Sequence, residues 1–185
     1  MGDHDFYSDL SSDVMDGESS RDRDRLFYVS MSITMSQSIA DFSQCRRLAV
    51  VGVSRTRRKY GNHAYRELKA RGLDVMAVHP ELTSVEGDPC FKSLAELPRP
   101  VDGVLVCVRP DKVPEVLRQA AAAGIRRAWL QQGAESEDST KLAAELGIDL
   151  VQRACILMHA TPVRGFHRLH RGLWRLLGRV PPSND

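Results

Sequence analysis

From Arg47 onward the chain alternates short apolar runs with segments of helical pattern, and few folds accommodate that rhythm. Leu48-Ala49-Val50-Val51-Gly52-Val53 is apolar throughout and ends in a loop, as a parallel strand buried on both faces does. Residues 62–71 follow a helical pattern, with Asn62 as N-cap and Gly72 as the stop. Leu73 to Val78 reads as a second strand, stopped by Pro80. A loop and a short helix behind Ser93 come next, then a third strand from Val101 to Val108. Pro114 suits the first turn of a helix that Gly124 ends. Arg127 to Gln131 is a fourth strand, Glu135 to Leu146 a helix stopped by Gly147, and Ile148 to Val151 a fifth strand. Strands alternating with helices predict an α/β fold: a Rossmann-type, doubly wound parallel sheet of about five strands.

The 185 residues suit one domain of ordinary size, and 42% apolar content is enough to fill a core. The division expected is a leader at 1–44, a Rossmann-type domain at 45–160 and a basic helical extension at 161–185. The leader carries Asp3, Asp5, Asp9, Asp13, Asp16, Glu18, Asp22 and Asp24 among serines, a composition expected to stay disordered apart from a short amphipathic piece near Ile39 and Phe42. Met31 and Met35 offer alternative starts. Neither a secretory signal nor an apolar run of about 20 residues is present, so no transmembrane segment is expected. Cys45, Cys90, Cys107 and Cys155 are scattered without ligand spacing, which points to reduced thiols in the cytoplasm and to no metal site.

In doubly wound sheets ligands bind outside the carboxyl ends of the strands. The segment after the first strand joins Gly52, Ser54, Arg55, Thr56, Arg57, Arg58, Lys59 and Gly61 ahead of a helix N-terminus. Glycine permits a close backbone approach, the hydroxyls donate, and the helix end and the basic side chains attract negative charge. The segment therefore reads as an anion site. It is neither GxGxxG nor GxxxxGK[ST], which argues against a dinucleotide fingerprint and excludes a P-loop. An NAD site would place an acid at the end of the second strand for the ribose hydroxyls. Here Val78-His79-Pro80 stands there, with Glu81 beyond the proline. A phosphorylated ribose, as in NADP or coenzyme A, is then not repelled.

Taken in order, Ala49-Val50-Val51-Gly52-Val53-Ser54, Tyr60-Gly61, Val78-His79-Pro80, Gly87, Ser93-Leu94, Leu97-Pro98, Val101-Asp102, Trp129-Leu130-Gln131-Gln132-Gly133 and Gly147-Ile148-Asp149 leading to Cys155 resemble the small bacterial and archaeal CoA-binding proteins. Their domain is related to the CoA-binding domain of the succinyl-CoA synthetase α subunit. The resemblance implies a diphosphate lying on Gly52 to Gly61, Tyr60 included. It places the adenosine end near His79-Pro80 and Val108-Arg109-Pro110, and closes the cleft with Gln131 and Gly133. This chain departs from the family at three points. His79 replaces the usual Asn, Glu81 stands where a lysine often follows the proline, and Ala154 separates Arg153 from Cys155.

No acid pair or Ser/His/Asp constellation can be placed together from sequence, so no catalytic residue is assigned. The resemblance implies a module that binds coenzyme A or acyl-CoA as carrier, sensor or regulator. The alternatives are a CoA-dependent enzyme using Cys155 or His159, and an NADP-binding redox sensor. The short chain lacks the synthetases' other domains, so a complete ligase is not expected. Residues 164–179 form a stripe of Phe166, Leu169, Leu173, Leu176 and Leu177 opposite Arg164, Arg168, Arg171, Arg175 and Arg179. The expectation is that it docks on its own sheet or on a second copy, with its arginines solvated, rather than on a membrane surface or on nucleic acid.

Overall fold

The computed structural model describes residues 35–160; the expected acidic leader up to residue 34 and the basic extension at 161–185 lie outside the described residues. Seven strands form one sheet: β1 (Arg47–Val51), β2 (Asp74–Val78), β3 (Ser84–Val85), β4 (Asp88–Phe91), β5 (Gly103–Val106), β6 (Arg127–Gln131) and β7 (Asp149–Ala154). Their spatial order is β3-β4-β2-β1-β5-β6-β7, and all pairs are parallel except β3 with β4. The helices are α1 (residues 35–43), α2 (Tyr60–Ala70), α3 (Val113–Ala122), α4 (Glu137–Glu145) and the single turn α5 (Ile156–His159).

Side chains alternate across the pleat, so each strand feeds two cores. Leu48, Val50, Leu105 and Trp129 pack with Phe42 of α1, Ala64, Tyr65 and Leu68 of α2 and Leu157 of α5. Ala49, Val51, Val104, Val106 and Leu130 pack with Val113, Val116, Leu117 and Ala120 of α3 and Ala143 of α4. Burial on both faces explains why the strands read as unbroken apolar runs.

The count of about five strands is two short. β3 and β4 are a hairpin whose central residues are Glu86 (φ 52°) and Gly87 (φ 88°). Both dihedrals are positive, as a type I′ turn requires, but Asn-Gly or Asp-Gly is the usual signature of that turn. Glu86, the brevity of β3 and Pro89 in β4 hid the hairpin. β4 then pairs with β2 through Ala77↔Cys90 and Val78↔Phe91.

Two further differences bear on the site. Helix α2 begins at Tyr60, so Asn62 is its third residue and is fully buried, while the N-cap is Lys59, without a side-chain cap. The packed chain also begins ahead of the expected boundary at 44. Phe42 of α1 is buried with its ring edge-on to Trp129, centroids 5.3 Å apart, and Ser38 donates to Asp149.

Candidate functional site

The parallel strands all end on one rim, and the chain changes direction between β1 and β5. It runs outward from β1 through β2 to β4, then returns to place β5 on the other side of β1. Such a reversal leaves a crevice between the loops that leave the two central strands. The rim carries residues 52–59 after β1, His79-Pro80 after β2, Cys107 to Pro110 after β5, Gln131 to Gly133 at the end of β6 and Cys155 after β7.

Two glycines shape the first loop. Gly52 has φ 103°, and a Cβ there would stand 2.5 Å from the carbonyl oxygen of Cys107. The space beside Gly52 that the sequence reading left for a ligand is thus filled by the end of β5. Gly61, in the first turn of α2, lies against the backbone of Gly52 and Val53. Together they draw the helix N-terminus onto the strand end, the packing that the last glycine of a dinucleotide fingerprint provides with a different spacing.

Asn62 holds the loop from below. Its Oδ1 accepts from the Ser54 amide (2.8 Å), and its Nδ2 donates to the Ser54 carbonyl (2.9 Å) and to Glu86 Oε1 (3.0 Å). The Ser54 hydroxyl accepts from the Thr56 amide, and the Lys59 amide donates to the Thr56 carbonyl. These bonds order the loop and use the amides of Ser54, Thr56 and Lys59 internally. Arg55, Thr56, Arg58 and Lys59 are exposed. Helix α2 has no acidic residue in its first turn, so its positive end is not neutralised by its own side chains.

Arg57 differs from its neighbours. Its Nε and Nη2 reach Glu86 Oε2 at 3.0 and 2.9 Å, and Arg66 Nη1 reaches Glu86 Oε1 at 2.7 Å. The hydrogen bonds from Asn62, Arg57 and Arg66 hold the Glu86 carboxyl below its ordinary range. Sequence reasoning placed Arg57 among the free phosphate ligands and missed both Asn62 and Glu86. The Glu86-Gly87 turn dipeptide was the one available signal for the second.

The other expected site residues are placed as follows. His79 is half-buried, and its Nδ1 accepts from the Glu81 amide (3.1 Å), making a local turn ahead of the exposed Pro80 and Glu81. Val108 is partly buried, while Arg109 is exposed and paired with Asp111 at 2.9 Å, a contact of the kind worth about 0–1 kcal/mol. Pro110 opens a short 3-10 turn. Gln131 is buried, and its Oε1 accepts from the Ile156 amide at 3.4 Å, so it ties the end of β6 to α5. Gly133 (φ 89°) donates its amide to Glu135.

Tyr60 Oη lies 3.2 Å from Cys155 Sγ, which joins the start of α2 to the end of β7. Burial raises the Tyr60 phenol well above its ordinary range, so it stays protonated and can donate to the sulfur. Burial likewise pushes the Cys107 thiol up to about 12. The His159 ring instead lies against Trp129, centroids 5.5 Å apart. Among the described residues no group of His, Cys, Asp and Glu is arranged to hold a metal ion.

The architecture is thus that of a Rossmann-type α/β domain with an ordered basic loop at its point of reversal. The chain belongs to the CoA binding domain family, whose model matches residues 46–161. It is 26% identical over 111 residues to the uncharacterized protein YneT of Bacillus subtilis, covering 60% of this chain and 82% of that one. It is 25% identical over 126 residues to the ADP-forming acetate–CoA ligase I of Archaeoglobus fulgidus; the match covers 63% of this chain but only 18% of the ligase. Among solved structures, a conserved hypothetical protein from Pyrococcus furiosus shares 35% identity with a TM-score of 0.58, over 60% of this chain and 96% of that one. The dinucleotide-forming acetyl-coenzyme A synthetase 1 of Candidatus Korarchaeum cryptofilum shares 26% with a TM-score of 0.52, over 57% of this chain and 25% of that one.

Proposed function

We propose that this chain binds coenzyme A or an acyl-CoA along the carboxyl rim of its sheet, as a carrier, sensor or regulatory module. The observation that carries this reading is the first loop. Gly52 and Gly61 bring the N-terminus of α2, free of acids in its first turn, up to the switch point, and Arg55, Arg58 and Lys59 stand exposed around it. A diphosphate is the ligand group that a helix N-terminus and several mobile cations attract together. The end of β2 supplies His79 rather than a carboxylate, so a phosphate on the ribose meets no fixed negative charge there. Arg109, Pro110, Gln131 and Gly133 stand at the ends of the neighbouring strands, where the remainder of such a ligand would run. The absence of a GxGxxG loop speaks against the NADP-sensor reading.

The proposed setting is the cytoplasm. The four free cysteines suit a reducing compartment, and no helix among the described residues is long and apolar enough to cross a membrane. A protein partner or a second copy of the chain would receive the carried or sensed ligand. Calorimetry with coenzyme A, dephospho-coenzyme A, NAD and NADP tests the reading. Coenzyme A should bind most tightly. Equal affinity for dephospho-coenzyme A would remove the argument from the ribose phosphate, and a preference for NADP would overturn the assignment.

A further inference from the structure

We propose that Glu86 governs the anion loop from outside it, fixing the loop backbone through Asn62 while holding Arg57 away from the incoming phosphate. The inference rests on the reading of residues 52–61 as an anion site. Glu86 lies on the turn between β3 and β4, an element the loop does not include. Its side chain is only 4% exposed although Gly87, the other central residue of the turn, is exposed. One carboxylate oxygen takes Asn62 Nδ2 and Arg66, and the other takes Arg57. Asn62 in turn grips both the amide and the carbonyl of Ser54.

The backbone makes the choice of residue informative. A glutamate at φ 52° is in the left-handed region, where asparagine or glycine is the ordinary occupant. A residue that breaks the local turn rule needs a compensating contact, and here that contact leads to the ligand loop. The same carboxylate therefore does two opposed things. It orders Ser54, which favours binding, and it neutralises a loop cation, which lowers the attraction for phosphate. Arg57 keeps a side chain 77% exposed, so its guanidinium is within reach of solvent and of a competing anion while Glu86 beneath it is not. Glu86 thus acts as a positioning residue that sets how strongly the loop draws a phosphate.

The test separates the two actions. Glu86→Gln keeps an oxygen for Asn62 but removes the charge that holds Arg57. With inorganic pyrophosphate and with coenzyme A as probes, Glu86→Gln should bind about three- to fivefold more tightly, the effect of returning one solvent-facing arginine to the loop. The salt dependence should steepen as a further cation becomes available. Arg57→Ala alone should change affinity by less than about twofold, and in the double variant the gain should vanish. Weaker binding by Glu86→Gln, or a gain that survives Arg57→Ala, would overturn the proposal. So would a roughly tenfold loss from Arg57→Ala alone, and this single variant decides the matter if Glu86→Gln does not fold. Wild-type protein that binds pyrophosphate but not coenzyme A would refute the coenzyme A reading and leave the Glu86 test intact. Wild-type protein that binds neither would refute both.

Discussion

Gly61 stands so close to Gly52 that a Cβ on Gly61 would lie 2.3 Å from the Gly52 carbonyl oxygen. The obstacle is backbone rather than a flexible side chain, so nothing can move aside cheaply. Gly61→Ala should therefore push α2 off the end of β1 and destabilise the domain by roughly 2–3 kcal/mol, as overpacking of a close contact does. Gly52→Ala adds a strained dihedral to its own clash and should cost at least as much. At Gly52 the first thing a larger residue meets is therefore the Cys107 carbonyl of its own fold, not a ligand. Gly72→Ala is the control. Gly72 also has a positive φ, but a Cβ there meets nothing, so thermal melting should show a smaller loss than at either loop glycine.

Arg55 and Arg57 are two residues apart and should behave differently. Arg55 is exposed beside the N-terminus of α2, whereas Arg57 is committed to Glu86. Arg55→Ala should weaken coenzyme A binding by up to about tenfold at low salt, a loss of roughly 1.4 kcal/mol. The loss should shrink as ionic strength rises, because much of it is long-range attraction. Titrations at two salt concentrations check this; an effect of Arg55→Ala that salt leaves unchanged would point to a desolvated contact instead.

The parallel sheet was legible because burial on both faces leaves an unbroken apolar run. Its helix stops were legible because Gly72, Gly124 and Gly147 all take the positive φ that ends a helix. The loop after β1 was recognisable as an anion site from its composition and its place in the order of elements. The partners of its side chains were not. Asn62 passes for an N-cap in sequence, since capping and loop-holding asparagines have the same neighbours along the chain. Glu86 is 24 residues from Asn62, and nothing local says that a β3–β4 turn folds back onto α2. The packing of Phe42 against Trp129 spans a far longer gap, and an acidic, serine-rich stretch upstream obscured it.

The cysteines should separate by reactivity. Burial holds the thiols of Cys45 and Cys107 protonated, at about 11 and about 12, so both should resist alkylation at neutral pH. Cys155 and Cys107 are both partly exposed on the rim, so what sets them apart is the raised Cys107 thiol and the Tyr60 hydroxyl beside Cys155. Mass spectrometry of a timed iodoacetamide reaction should find Cys155 modified ahead of Cys45 and Cys107. If the pantetheine end of coenzyme A runs along this rim, bound coenzyme A should slow that modification. Unchanged kinetics with ligand at saturation would show that its thiol end lies elsewhere.

Helix α1 belongs to the folded domain, and Phe42 is the residue that tests it. The ring is buried, edge-on to Trp129, and packed within the core shared with α2 and α5. Phe42→Ala should remove about 3–5 kcal/mol, the usual range for a core phenylalanine, and lower the urea midpoint accordingly. A loss below about 1 kcal/mol would mean that α1 lies on the domain without being part of its core.

Acid should unfold the domain through a small set of carboxylates. Asp102 accepts the amides of Arg47 and Arg46, both at 2.8 Å, and these bonds hold its carboxyl below the ordinary range. Asp88 is lowered by Lys69 and by the Tyr65 hydroxyl, and Glu86 by Asn62 and its two arginines. In each case the folded protein holds its proton less tightly than the unfolded chain does. Their contribution is therefore complete above the ordinary carboxylate pKa of about 4 and is lost as pH falls through the lowered folded values. The melting temperature should be flat from about pH 7 to 5 and then drop steadily toward pH 2. Both amides go to one oxygen, Oδ2, so Asp102→Asn keeps a neutral acceptor there but no longer titrates. It should melt lower than wild type at pH 7 and decline less steeply in acid, so the two curves approach each other at low pH. Parallel curves across the whole range would show that Asp102 contributes through hydrogen bonding alone and that its charge adds nothing to stability.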